Sequence, residues 1–472
     1  MHSFRLFTLV SLCQMVLGAE PAPDFAKRFE AIRKTATQEE LYRFLWAVPK
    51  GGDIHNHMVQ SYLSHQWYEA AVDPKRNHGN RYYTQLRYTN CPGNDAQSGF
   101  VLFRTIQRAT YEKLSACEKA EFEALDALSP DLREQWQSSF RLDKAGEGRN
   151  EFFELSSKRR GDLGLDPYLV PDLLVEQLKL MKAQNLRYLE TQFRPILQDQ
   201  AGQLIPEDRV AELLKERLNA PDAKATGITV RFMNSVLRFA PDAEQQVERI
   251  YAFIARNRDL WVGMNMGGRE DNDKGFALRF MEVHRKMRRT YPGIHLALHG
   301  GEVDSPGADV KHTLMLGAER IGHGVNLVTD PETMLFMRHN RYLVEINLIS
   351  NNLLEYIPDL STHPFPEYLR LGIPVCLNTD DPGAWDSNLT DEYFVGVTRF
   401  NLTWGEIVQL GRNSLQYAFV EEPEKSRLLK DYEEGVRRFE ALYGTDDWKK
   451  AEPGLRVSPS GYAKKALKIA LH

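Results

Sequence analysis

Along the chain, short apolar runs ending in polar or glycine-rich tips alternate with amphipathic stretches of helical period. The runs fall at 52–58, 186–193, 228–236, 260–266, 294–299, 320–325, 342–348 and 374–379. Apolar runs of this length, bounded by turn residues, read as strands buried on both faces. The amphipathic stretches fall at 171–184, 206–218, 243–257, 276–290, 310–316, 331–338 and 365–371. Strand alternating with helix implies a parallel sheet, and eight such units predict closure into a (β/α)8 TIM-type barrel.

Three segments break the rhythm. Residues 20–48 predict a helical lead-in, with Phe25, Phe29, Ile32, Leu41, Phe44 and Leu45 on one stripe. Residues from Thr403 onward predict further helices packed outside the barrel. A long interval separates the first strand from the second, so 49–472 reads as one barrel with 60–165 as an inserted subdomain. The insertion holds Trp67, Tyr68, Tyr82, Tyr83 and Tyr88, with charged helical patterns around 100–140. A loop of that length leaving a barrel strand predicts a lid over the mouth whose aromatics stack on a flat ligand.

At 472 residues with 42% apolar and 26% charged residues, the chain can build a sizeable core. A net charge of -5 without a long basic run argues against a nucleic-acid partner. Arg5, the apolar run 6–18 and the small pair Gly18-Ala19 predict a signal peptide over 1–19, hence a secreted or periplasmic protein. That run is too short to span a bilayer, and charges interrupt every other one, so no membrane partner is expected. In an oxidising compartment Cys91 and Cys117, both in the insertion, can pair or stay free, whereas Cys376 in an apolar strand reads as a buried thiol.

The candidate chemistry gathers at strand tips. His55-Asn56-His57 ends the first strand, where i and i+2 side chains share a face and both imidazoles can reach one metal. His299-Gly300-Gly301-Glu302 follows the fifth strand, Gly322-His323-Gly324 the sixth, and Asn378-Thr379-Asp380-Asp381-Pro382 the eighth. An adjacent acid pair, if buried, needs a cation or a proton. All four pieces lie at the C-terminal ends of parallel strands, the rim where barrel active sites assemble. Three histidines and a carboxylate suit zinc and leave room for water. No Pro-Cys-x-x-Cys clamp and no Gly-x-Ser-x-Gly elbow occurs. His65, His78, His284, His295, His312, His339 and His363 have no constellation around them and read as structural, although His65 and Trp67 follow the first strand closely enough to line a pocket.

In this order and on these strands, HxH, HGGE, GHG and NTDDP resemble the adenosine deaminase family, from about Lys50 to Pro382 apart from the insertion. The export signal, lead-in and cysteine-bearing insertion resemble its secreted growth-factor-related members. The resemblance implies hydrolytic deamination of adenosine or 2′-deoxyadenosine to the inosine product and ammonia, with one zinc per chain. It implies His55, His57, His299 and Asp380 as zinc ligands and Glu302 as a protonated donor to the purine ring. His323 would orient the attacking water and accept its proton. Asp381 would hold the hydroxide and the imidazole side of the purine, Gly268 would offer its N–H to the ring, and His57 and Asp381 would also touch substrate. The sequence Asn265-Met266-Gly267-Gly268-Arg269-Glu270 departs from the family's usual Asp-Leu-Ala-Gly-Asp-Glu, which leaves open another purine or modified nucleoside. The implied partner is a small purine nucleoside, with a homodimer as the assembly left open. A secreted signalling protein without catalysis is the alternative of another class, but none of the implied ligands is replaced.

Overall fold

The computed structural model describes residues 23–91, 101–144 and 146–471. The expected signal peptide lies outside the described residues. Eleven strands form two sheets: β1 (Gly51–His57), β2 (Tyr82–Gln85), β3 (Thr105–Gln107), β4 (Phe122–Ala124), β5 (Leu186–Gln192), β6 (Thr229–Leu237), β7 (Trp261–Gly267), β8 (His295–Gly300), β9 (Arg320–His323), β10 (Leu343–Ile346) and β11 (Val375–Leu377). Eight of them run parallel in the order β1-β5-β6-β7-β8-β9-β10-β11. The two ends meet at one parallel bridge, Asn56 to Asp380. There the N–H of His57 donates to Asp380 O and the N–H of Asp380 to His55 O, both at 2.9 Å. The barrel therefore closes through the backbone of two of its proposed ligand segments. All eight expected strands are present, most within two residues of their expected ends.

Helices return the chain between strands, among them Leu169–Ala183, Glu207–Leu218, Ala243–Arg256 and Pro331–Asn340. Most present an apolar stripe inward, as Val247, Ile250, Tyr251, Phe253 and Ile254 do on the third of these. The lead-in forms two helices, Pro23–Thr35 and Gln38–Ala47, and Thr37 starts the second with a capping box to Glu40. Phe25, Phe29 and Phe44 pack on Trp404 and Phe439 of the C-terminal helices, so both ends of the chain share one aromatic cluster.

Between β1 and β5 the charged helical patterns around 100–140 form the short helices Arg108–Glu112, Ala116–Lys119 and Pro130–Ser138. A small antiparallel sheet, β3-β2-β4, sits there among short helices. Its strands are only three or four residues long, too short to show an alternating pattern. The aromatics of this region pack on one another. Tyr83 stacks on Tyr111 at 3.8 Å, Tyr68 meets Trp136, and the Tyr82 hydroxyl donates to Asp166. Cys91 and Cys117 are disulfide-bonded, and Cys376 is a buried free thiol. No helix among the described residues is long and apolar enough to cross a membrane.

Candidate metal and active site

The rim brings four side chains to one point. His55 and His57 come from the end of β1, His299 from β8 and Asp380 from just past β11, and one ligand atom of each lies within 4.8 Å of the others. Asp380 Oδ1 is 3.1 Å from His57 Nε2 and 3.4 Å from His55 Nε2. Both His55 Nε2 and Asp380 Oδ1 are buried without a hydrogen-bond partner among the described residues. Buried polar atoms are normally satisfied, so two orphans facing each other mark a space for a cation. Three imidazole nitrogens and one carboxylate oxygen are a donor set that suits zinc.

Outer partners aim these ligands. His55 Nδ1 donates to Glu345 Oε2 at 2.6 Å and His299 Nδ1 to Asn265 Oδ1 at 2.8 Å, which leaves each Nε2 for a metal. Ser350 Oγ donates to Asp380 Oδ2 at 2.6 Å. Behind Glu345, the guanidinium of Arg320 bridges it, at 2.6 Å, to Glu190. Backbone conformation is also specialised. His323 and Asp380 occupy the left-handed region, at φ 65° and 58°, which non-glycine residues rarely visit. Gly322 must lack a side chain, since a Cβ there would lie 2.6 Å from His55 Cε1.

A second group, His299, Glu302 and His323, overlaps the first. Glu302 is 2% exposed, and its Oε1 is 3.6 Å from His323 Nδ1. Burial, with Asp380 and Glu270 nearby, holds the Glu302 carboxyl well above the usual range, which favours its protonated form. Burial holds the His323 and His299 rings neutral, the neighbouring His55 adding to the effect. Asp381 is pushed up to about 8, by burial and by Asp380, against the pull of His57.

These residues open onto a cleft of about 270 Å³. His57, His299, Glu302, Asp380, Asp381 and Gly268 line its barrel side, and Phe152, Phe153 and Ser157 of the insertion line the other. Of the expected site residues, His55 and His323 do not line this cleft: both are buried, His323 behind Glu302 and Asp380. Gly268, at φ 92°, passes so close to Leu237 and Phe239 that a Cβ would clash with both. His65 is exposed and Trp67 is buried against Tyr62, so neither lines the cleft. Sequence reading missed Phe152, Phe153, Glu345 and the outer role of Asn265. Glu345 did leave a signal, as a lone acid inside the apolar run Leu343-Val344-Glu345-Ile346.

Comparison with known proteins follows the same lines. A family model described as Adenosine deaminase matches residues 129–434. An adenosine deaminase of Vibrio cholerae serotype O1 is 31% identical over 246 residues, spanning 52% of this chain and 71% of the relative. Among solved structures, adenine deaminase from Arthrobacter aurescens shares the fold with a TM-score of 0.60 at 17% identity, over 83% of this chain and 100% of that one. An amidohydrolase from Burkholderia ambifaria, solved with bound Zn, does so with a TM-score of 0.57 at 18% identity, over 85% and 95%.

Proposed function

The chain belongs to the adenosine deaminase family of aminohydrolases, and on that premise we propose that it replaces the 6-amino group of adenosine or 2′-deoxyadenosine by oxygen, releasing ammonia. One observation carries the reading: the orphaned pair His55 Nε2 and Asp380 Oδ1 sits beside a buried, protonated Glu302 in an open cleft. His55, His57, His299 and Asp380 would hold one zinc ion per chain. Such an ion lowers the pKa of water toward neutrality and so supplies a hydroxide nucleophile.

The protein's own residues do the rest. Glu302, kept neutral by burial, donates its proton to the ring nitrogen beside the attacked carbon, a general-acid role that a charged carboxylate could not fill. His323, facing Asp380 Oδ2 at 4.0 Å, orients the attacking oxygen. The N–H of Gly268 is offered to the ring, and Asp381 with His57 borders the purine. Phe152 and Phe153 close the apolar side and exclude water from the reacting atoms. The Cys91–Cys117 bond supports an exported protein, since such bonds persist in oxidising compartments.

The experiment is loss of the adenosine absorbance band with purified full-length protein, with zinc and then with a chelator. Turnover abolished by the chelator and restored by zinc is expected. Chelator-insensitive turnover, or none with adenosine, 2′-deoxyadenosine or other 6-aminopurine nucleosides, would overturn the reading.

A further inference from the structure

His323 has a neighbour that decides what it can do. The N–H of Phe365 donates to His363 Nδ1 at 3.1 Å. A backbone N–H can only donate, so His363 Nδ1 accepts, and the ring, buried and neutral, carries its proton on Nε2. That nitrogen is 3.1 Å from Asn351 Oδ1 and donates to it. Its oxygen thus engaged, Asn351 turns its amide nitrogen to His323, 3.0 Å from Nδ1. Asn347 Nδ2 approaches the same nitrogen at 3.2 Å and lies farther, at 3.5 Å, from Nε2. The carboxyl of Glu302, at 3.6 Å, is beyond hydrogen-bond reach. Donors alone meet Nδ1 of His323. In a neutral imidazole the other nitrogen then holds the proton, and Nε2 faces Asp380 and the ligand cluster.

We propose that His363 and Asn351 are positioning residues that fix the tautomer of His323, so that its Nε2–H is a hydrogen-bond donor to the attacking oxygen. The proposal rests on the deaminase reading for the identity of that oxygen, but not for the direction of the relay. It changes the role implied by family resemblance. An imidazole that accepts a proton at Nε2 must carry its own on Nδ1, and there the Asn351 amide would oppose it. His323 thus holds the nucleophile in place and does not deprotonate it. His363 lies outside the metal-binding motifs and showed no constellation in the sequence; its function becomes visible only once Phe365 N–H is seen to set the polarity of the chain.

The test uses zinc-loaded, full-length protein with isotopically labelled histidine. Ring nitrogen shifts, assigned with His323→Gln, report the tautomer directly. The expected result is a neutral His323 protonated on Nε2. Asn351→Asp puts an acceptor at Nδ1 and should move the proton there, with kcat lower by about tenfold to a hundredfold, KM within about threefold and zinc retained. His363→Gln keeps a donor to Asn351 and should retain most of the kcat that His363→Leu loses. A wild-type His323 protonated on Nδ1, or a tautomer unmoved by Asn351→Asp, overturns the proposal. So does an Asn351→Asp defect explained wholly by lost zinc. An Nε2–H tautomer in a protein that turns over no purine would sustain the relay and sink the deaminase reading, so the two failures are distinct.

Discussion

Two walls meet in the cleft, and they are built differently. On the barrel wall His55, His299, Glu302 and Asp380 are each at most 3% exposed. The backbones of His55, His299 and Asp380 belong to the sheet or to its closing bridge, Glu302 follows just past β8, and outer partners fix His55, His299 and Asp380. On the opposite wall Phe153 is only half-buried and Ser157 is exposed. The segment carrying them is fastened at its start by polar contacts around the mouth. Arg149 pairs with Asp304 at 2.8 Å, and Arg269 donates to Asn150 at 2.7 Å. Exposed pairs of this kind stabilise weakly, by about 0–1 kcal/mol. One firmer contact, Phe152 against Trp385 with ring centroids 5.0 Å apart, ties this wall to the tip of β11. Chemistry is thus assigned to a wall held by many mutually dependent buried contacts, and fit to one that few contacts hold. That division makes distinct demands on variants of each wall.

The largest effect should come from Asp380→Ala. It removes the only carboxylate in the ligand set, while the closing hydrogen bonds to β1 are made by backbone and survive. Zinc should be lost with turnover, by at least about a thousandfold. Elemental analysis together with ammonia release checks both, and a variant that keeps its zinc would remove Asp380 from the ligand set. Glu302→Gln comes next. The amide cannot donate as an acid does, so kcat should fall by about 10²–10⁴ with zinc unchanged. If metal and activity fell together, Glu302 would belong to the ligands and not to the proton transfer.

The barrel wall was also the legible one. Each motif sits where a short apolar run stops, and the steric rule that puts i and i+2 on one face places His55 and His57 without a structure. What stayed hidden depended on contacts between distant segments. Glu345 and Asn265 become partners of His55 and His299 only when barrel closure brings β10 near β1 and pairing sets β7 beside β8. Asn351 and His363 meet only through a helix and the turn before the next. In the insertion, local pattern misled. Tyr68, Tyr82 and Tyr83 look available to a flat ligand, but each has a nearer partner, and Phe152 and Phe153, which reach the cleft, lie in a short π-helical turn with no periodic signature.

Phe153→Ala tests whether the insertion wall governs fit. A half-buried ring contributes about 1.4 kcal/mol of apolar contact, which corresponds to about a tenfold rise in KM for adenosine. Because the ring supplies neither a ligand nor a proton, kcat should stay within about threefold. A fall in kcat with KM unchanged would mean that the insertion takes part in the chemistry, and the contrast between the walls would fail.

The smallest effect on catalysis is expected from the double variant Cys91→Ser, Cys117→Ser. The sequence alone suggests a lid held by this bridge, but apart from Gln60 at its base the insertion residues that line the mouth come from its later part, Phe152, Phe153 and Ser157. The bridge spans 26 residues, and the chain-entropy model assigns such a loop about 3 kcal/mol. Noncovalent contacts already hold the same ends together. Thr89 N–H and hydroxyl both donate to Glu121, Leu86 N–H donates to Glu121 O, and β2 pairs with β4. Loss of the bond should therefore loosen residues around 86–121, read as faster proteolytic nicking there, and leave KM and kcat for adenosine within about twofold. A KM raised fivefold or more would mean that the small sheet sets the position of Phe152 and Phe153 after all. The insertion would then act as one rigid lid.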